Sequence, residues 1–227
     1  MVPPLSLVQK FNTHRLIPTR FAQTEDAVLA AVAHDDAHLR DLFDLENATN
    51  QRLIAENNGM PGIGVDELVF GVPNFRVMNA AFSYAHPEGS RFNGPDRGAW
   101  YCAFEHQTAV AEIVFHKTVE YTEIDYFDDE VTYQTLLADF NAEFHDLRLG
   151  KQFLPCLNPD SYRHSQEMGL QLLKEDSLGI VYPSVRRPSG TNLVCFRPAL
   201  VGHVRYGDCY TLRWEGKPDP KVKKIKA

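Results

Sequence analysis

The chain has 227 residues, of which 44% are apolar and 23% charged, and its formal net charge is −7. That is enough chain for one large core or two small ones, and the acidic balance argues against a broad nucleic-acid surface. No window approaches the roughly 20 apolar residues of a membrane span, and Cys102, Cys156, Cys195 and Cys209 are scattered without a CxxC pair, which excludes a disulfide framework or a zinc motif.

The opening segment MVPPLSLVQKFNTHR has prolines where a signal peptide would carry charge and no continuous apolar run after them, so a cytoplasmic location is expected. Thr24 can cap a short helix over EDAVLAAVA. A second helix is predicted over DAHLRDLFDLENATNQRLIAEN, where Leu39, Leu42, Phe43, Leu53 and Ile54 recur at helical spacing. The run NNGMPGIG stops it, since Gly and Pro do not continue a helix. Residues 1–65 are therefore expected to form a helical extension packed on a main domain over 66–227.

Beyond this point the pattern turns to strands. AWYCAFE reads as a strand, Thr108–Lys117 as a helix and VEYTEIDYF as β-prone. TYQTLLADFNAEFHDLRL suggests a hairpin turning near Asn141. A helix from Ser161 to Lys174 follows the Pro159-Asp160 stop, and GIVYPSV, TNLVCFRP, ALVGHVRY and DCYTLRW give four short strands in succession. The basic tail KPDPKVKKIKA reads as a frayed, solvated terminus. Strands with two intervening helices and no βαβ regularity indicate an α+β fold.

One helix poses a chemical question. On a helical wheel Thr108, Glu112 and His116 form a narrow polar stripe, and Ala109, Val110, Ala111, Ile113, Val114 and Phe115 fill the rest. Periodicity leaves two readings open: the stripe faces water, or the helix is buried nearly all round and the stripe faces a cleft. In the second case Glu112 needs a partner, because an unpaired buried carboxylate costs several kcal/mol. His34 and His38 have the i, i+4 spacing of helical metal ligands, but no further ligand follows at a motif spacing, so a solvated helix face and no metal are expected. Arg186 and Arg187 in YPSVRRPSGTN can hold an anion, since a guanidinium suits phosphate bidentately.

Taken together, these segments resemble the RES-domain family, the toxin half of a bacterial toxin–antitoxin pair, named for an Arg, a Glu and a Ser. Arg91 in RFN matches the opening motif, Tyr101 the tyrosine, Glu112 in TAVAEIVFH the glutamate, and Ser184 in GIVYPSVRRPSGTNLVCFRP the serine. SYRHSQEMGLQLL resembles the helix preceding that serine, and the likeness runs from about residue 70 to 215. Phe92 stands where many relatives carry Trp. Ser189 lies close by, but Ser184 directly follows Tyr182-Pro183, as in the family pattern.

The resemblance implies an ADP-ribosyltransferase-like fold, a split mixed sheet with flanking helices that forms a cleft for NAD+. It implies consumption of NAD+ by cleavage of the nicotinamide–ribose bond, with water or inorganic phosphate as acceptor; transfer of ADP-ribose to a protein is the alternative, and a catalytically silent antitoxin-binding module a further one. Arg91 and Glu112 would then be catalytic. Arg91, Tyr101, Ser184 and Arg186 would bind substrate, without a metal. The implied partner is a cognate Xre-like helix-turn-helix antitoxin that blocks the cleft in a hetero-oligomer, with no direct nucleic-acid or membrane binding by this chain.

Overall fold

The computed structural model describes residues 2–22 and 62–225. Seven strands form one mixed sheet: β1 (Leu5–Pro18), β2 (Trp100–Ala103), β3 (Asp128–Asp146), β4 (Gly179–Pro183), β5 (Thr191–Cys195), β6 (Gly202–Glu215) and β7 (Lys221–Ile225). Among the described residues four α-helices accompany it: the single turn α1 (Thr19–Ala22), α2 (Phe75–Ser83), α3 (His106–Glu123) and α4 (Arg163–Lys174). The strand order is β1-β2-β5-β4-β3-β6-β7, and among the described residues only the β3–β4 pair is parallel.

A second pairing bends this order into a ring. β1 runs antiparallel to β3 from Leu5↔His145 to Pro18↔Tyr133, and His14 also pairs with Ala103 of β2. The pairings β1–β2–β5–β4–β3–β1 therefore close a circuit, with β6 and β7 continuing beyond β3. Successive side chains of a strand point to opposite faces, and β3 uses both. Leu136, Ala138, Phe140 and Phe144 enter one core with Trp100, Val181 and Leu193, while Tyr133 and Val131 enter another beneath α3. There α3 lays Ala109, Val110, Ile113 and Tyr121 against Leu16, Leu212 and Trp214. A third cluster joins Leu172 of α4 to Phe92, Ile180, Tyr182 and Phe196.

Helix α4 comes close to the loop after Arg91 because Gly169 has no side chain. A Cβ there would lie 1.9 Å from the carbonyl oxygen of Phe92. That glycine sets how near the helix sits to the segment bearing Arg91.

Several expectations are corrected. Residues 5–18, expected in a helical extension, form a sheet strand. The alternation that would announce it is broken by a bulge at Asn12, whose φ is 55°. The helices predicted after Thr24, with His34 and His38, lie outside the described residues. No hairpin turns at Asn141: β3 runs straight through it, held by Gln9 opposite. VEYTEIDYF does not start a strand, because α3 continues to Glu123, anchored by Tyr121 against Trp214 at 5.0 Å between ring centroids. ALVGHVRY and DCYTLRW belong to a single strand, β6, and the basic tail supplies β7 rather than fraying. The α+β class itself holds, with a mixed sheet and flanking helices as expected.

Candidate active site

Helix α3 is clamped at its start. Glu105 Oε2 accepts hydrogen bonds from Thr108 Oγ1 at 2.7 Å and from the backbone N–H of Thr191 at 3.2 Å. Arg187 donates to Thr108 Oγ1 at 3.1 Å and lies 3.8 Å from the Glu105 carboxylate. The first turn of the helix is thus tied to the β4–β5 loop, and one turn further on it presents Glu112 to the same loop.

The polar stripe does not simply face water. Thr108 is fully buried, Glu112 half-buried and His116 exposed, so the stripe rises from the interior to the surface. Glu112 Oε1 accepts two hydrogen bonds, from Ser184 Oγ at 2.7 Å and from Asn192 Nδ2 at 2.6 Å. Its second oxygen takes no hydrogen bond among the described residues. Ser184 is held in turn, because its hydroxyl oxygen accepts from the N–H groups of Arg186 and Arg187, both at 3.1 Å. Ser189 sits in an exposed left-handed turn with φ 61° and makes no such contact with Glu112.

Two arginines converge on one segment beside this carboxylate. Arg91, only 6% exposed, donates from Nη1 to the carbonyl of Asn158 at 2.9 Å and, more weakly, to that of Cys156 at 3.4 Å. Its guanidinium lies 4.6 Å from the Tyr162 ring centroid. Arg186 donates to the carbonyl of Pro159 at 2.5 Å and stacks on Phe115 at 3.2 Å. Arg91 Nη2 and Arg186 Nε are buried without a hydrogen-bond partner. An unpaired buried donor is costly, and two cationic ones anchored to the same 156–159 segment suit an anion. The Tyr182 hydroxyl feels these charges: its pKa is raised well above its usual value, first by burial and then by the Glu112 charge, with Arg91 opposing. Lost solvation lowers the pKa of His116, against the pull of Glu112 and with the repulsion of Arg186 and Arg91.

Tyr101 occupies a different position from the other four. Its hydroxyl donates to Asn93 Oδ1 at 2.7 Å and accepts from the N–H of Phe92 at 2.9 Å, so its polar end is spent on the loop after Arg91. Burial is the main cause of its raised pKa. Glu112, Ser184 and Arg186 are thus brought into one connected network. Arg91 adjoins it through the 156–159 segment, and Tyr101 braces Arg91 from behind.

Comparison with protein-family models matches residues 68–215 to the RES domain. The chain belongs to the RES-domain family. The family match begins downstream of β1 and ends before β7, so two strands of the sheet come from outside the matched region. No curated protein sequence matches significantly. Among solved structures, the chain is similar to a crystal structure of the M. tuberculosis MbcT-MbcA toxin–antitoxin complex, at 15% identity and a TM-score of 0.42, over 60% of this chain and 75% of that one. Among the described residues no helix is long and apolar enough to cross a membrane, and no three His, Cys, Asp or Glu side chains gather as a metal cluster would require.

Sequence reasoning missed Asn192, Tyr162, Tyr182 and the Glu105–Thr108–Arg187 clamp. For Asn192 a signal existed: Asn is depleted from strands, yet it sits inside the apolar run TNLVCF. In the clamp only the Glu105–Thr108 contact is local; its ties to Arg187 and Thr191 span about eighty positions and leave no local signal.

Proposed function

We propose that this RES-domain protein is the toxin of a bacterial toxin–antitoxin pair, acting in the cytoplasm, and that it depletes NAD+ by breaking the nicotinamide–ribose bond. The observation that carries the reading is Glu112: a half-buried carboxylate on a largely apolar helix, gripped through one oxygen by Ser184 and Asn192, with the other oxygen unengaged.

That arrangement suits this bond. Nicotinamide in NAD+ is already cationic and leaves as a neutral pyridine, so no general acid is needed, and one carboxylate suffices where ordinary glycosidases use two. Positive charge grows on the ribose as the bond breaks. Glu112 Oε2 opposes that charge and accepts from ribose hydroxyls, while Ser184 and Asn192 keep the carboxylate from swinging away. Arg91 and Arg186 offer their unpaired N–H groups to the pyrophosphate, or to an incoming phosphate as co-substrate. Tyr101 contributes by holding the Arg91 loop. The partner in this reading is an Xre-like helix-turn-helix antitoxin that covers the cleft.

The experiment is expression without an antitoxin, followed by incubation of purified protein with NAD+ in the presence and absence of phosphate, with the products weighed by mass spectrometry. Growth arrest with falling NAD+ and release of free nicotinamide is expected. Arrest with NAD+ unchanged and label from NAD+ appearing on a lysate protein would replace degradation by transfer.

A further inference from the structure

We infer that Asn192 is the positioning residue of the glutamate, the fixed half of a two-point grip that decides which carboxylate oxygen meets the substrate; this rests on the NAD+ reading above. Asn192 is 4% exposed and lies in β5, paired on one side with Ala103 of β2 and on the other with Tyr182 of β4. Its backbone is held from both edges, so its side chain has a fixed origin. Ser184, by contrast, sits in the loop after β4 and shares its hydroxyl among Glu112 and two backbone N–H groups.

The direction of the Asn192 amide follows from chemistry. A carboxylate only accepts hydrogen bonds, so the atom 2.6 Å from Glu112 Oε1 is the nitrogen, since two acceptor oxygens at that distance would repel. With Oε1 bound at two points, one on strand β5 and one in the loop after β4, the Glu112 carboxylate is held against exchanging its oxygens. The residue acts through Glu112 and is placed in contact with no reacting atom. Because a displacement of about 1 Å costs on the order of 10²-fold in rate, a strand-borne donor at this point governs turnover more than affinity.

The test replaces the donor by an acceptor of the same shape. Asn192→Asp sets two carboxylates at the present hydrogen-bond distance, where they share a proton and titrate as a coupled pair with one apparent pKa raised. NAD+ turnover by N192D is expected to show an acidic limb shifted upward by about one pH unit or more. Asn192→Leu is expected to lose roughly 10²-fold in kcat with KM changed less than about threefold. An N192D profile that overlays wild type, or an N192L loss confined to KM, overturns the inference. If wild-type protein leaves NAD+ intact, the functional reading fails instead. The contact then remains measurable by melting: the folded pair holds its proton above the unfolded carboxylate pKa, so N192D must lose stability relative to wild type as pH rises from about 5 to 8. A pH-independent difference would overturn the contact as well.

Discussion

Replacing Glu112 by Gln separates charge from shape at the centre of the site. The Gln carbonyl can occupy the place of Oε1 and keep both bonds, from Ser184 and Asn192, with its amide NH2 where Oε2 now stands. Each bond changes from charge-assisted to neutral, a loss of about 0.5–2 kcal/mol per bond. Removing a half-buried charge offsets this, since the desolvation cost of a fully buried ion is several kcal/mol. The net stability change is therefore expected within about 1 kcal/mol, or about 2–4 °C in Tm for a chain of this size. The rate behaves differently. Losing a preorganised charge opposite the oxocarbenium is expected to cost ~10²–10³ in kcat, about 3–4 kcal/mol of transition-state stabilisation. Thermal melts and nicotinamide release, measured on the same preparations, resolve the two effects. Glu112→Ala supplies the contrast, because it leaves the buried Asn192 amide without its acceptor and costs a further 1–3 kcal/mol or so in stability. If E112Q consumes NAD+ at the wild-type rate, the assignment of this helix to the chemistry is wrong.

Tyr101→Phe removes the acceptor of the Phe92 N–H and the donor to Asn93; urea titration is expected to show a loss of about 1–3 kcal/mol, accompanied by weaker NAD+ binding as the Arg91 loop loosens. Gly169→Ala drives a methyl into the Phe92 carbonyl, so a destabilisation of about 3 kcal/mol or more is expected by the same titration. The pKa values of His14 and His106 are lowered, chiefly by burial. Their unfolded forms bind protons first, so stability is full above a pH of about 6.5 and falls as the pH drops below it. Melts from pH 8 to 5 check this, and a Tm that stays level across the range would contradict it.

The legible parts of this chain were those in which a local pattern and a tertiary role coincide. The α3 stripe drew attention to Glu112 because a lone carboxylate interrupts an apolar helix, and its partners Ser184 and Asn192 lie more than seventy positions downstream. The α4 span was visible because its inward residues, Gly169 and Leu172 among them, recur at helical spacing. What stayed hidden depends on pairing across the chain. Asn141 looks like a turn residue, but Gln9 opposite it holds it extended. β1 shows buried Val8, Thr13 and Leu16, an irregular spacing produced by the Asn12 bulge, so no period of two survives to be read. The role of Tyr101 was hidden likewise, since only the fold shows its hydroxyl spent on the backbone of Phe92.

The closed circuit of strand pairings also orders events at the ribosome. Leu5 finds its neighbour only when His145 has emerged, and at ~5–20 residues per second that wait is on the order of ten seconds. The grip on Glu112 is completed later still, because Ser184 and then Asn192 must be translated before its carboxylate is held. A nascent chain therefore lacks the gripped carboxylate through most of its synthesis, and a message cut short before the codon for Asn192 yields a product with its glutamate held by Ser184 at most. The gripped carboxylate thus exists only when translation of the chain is nearly complete.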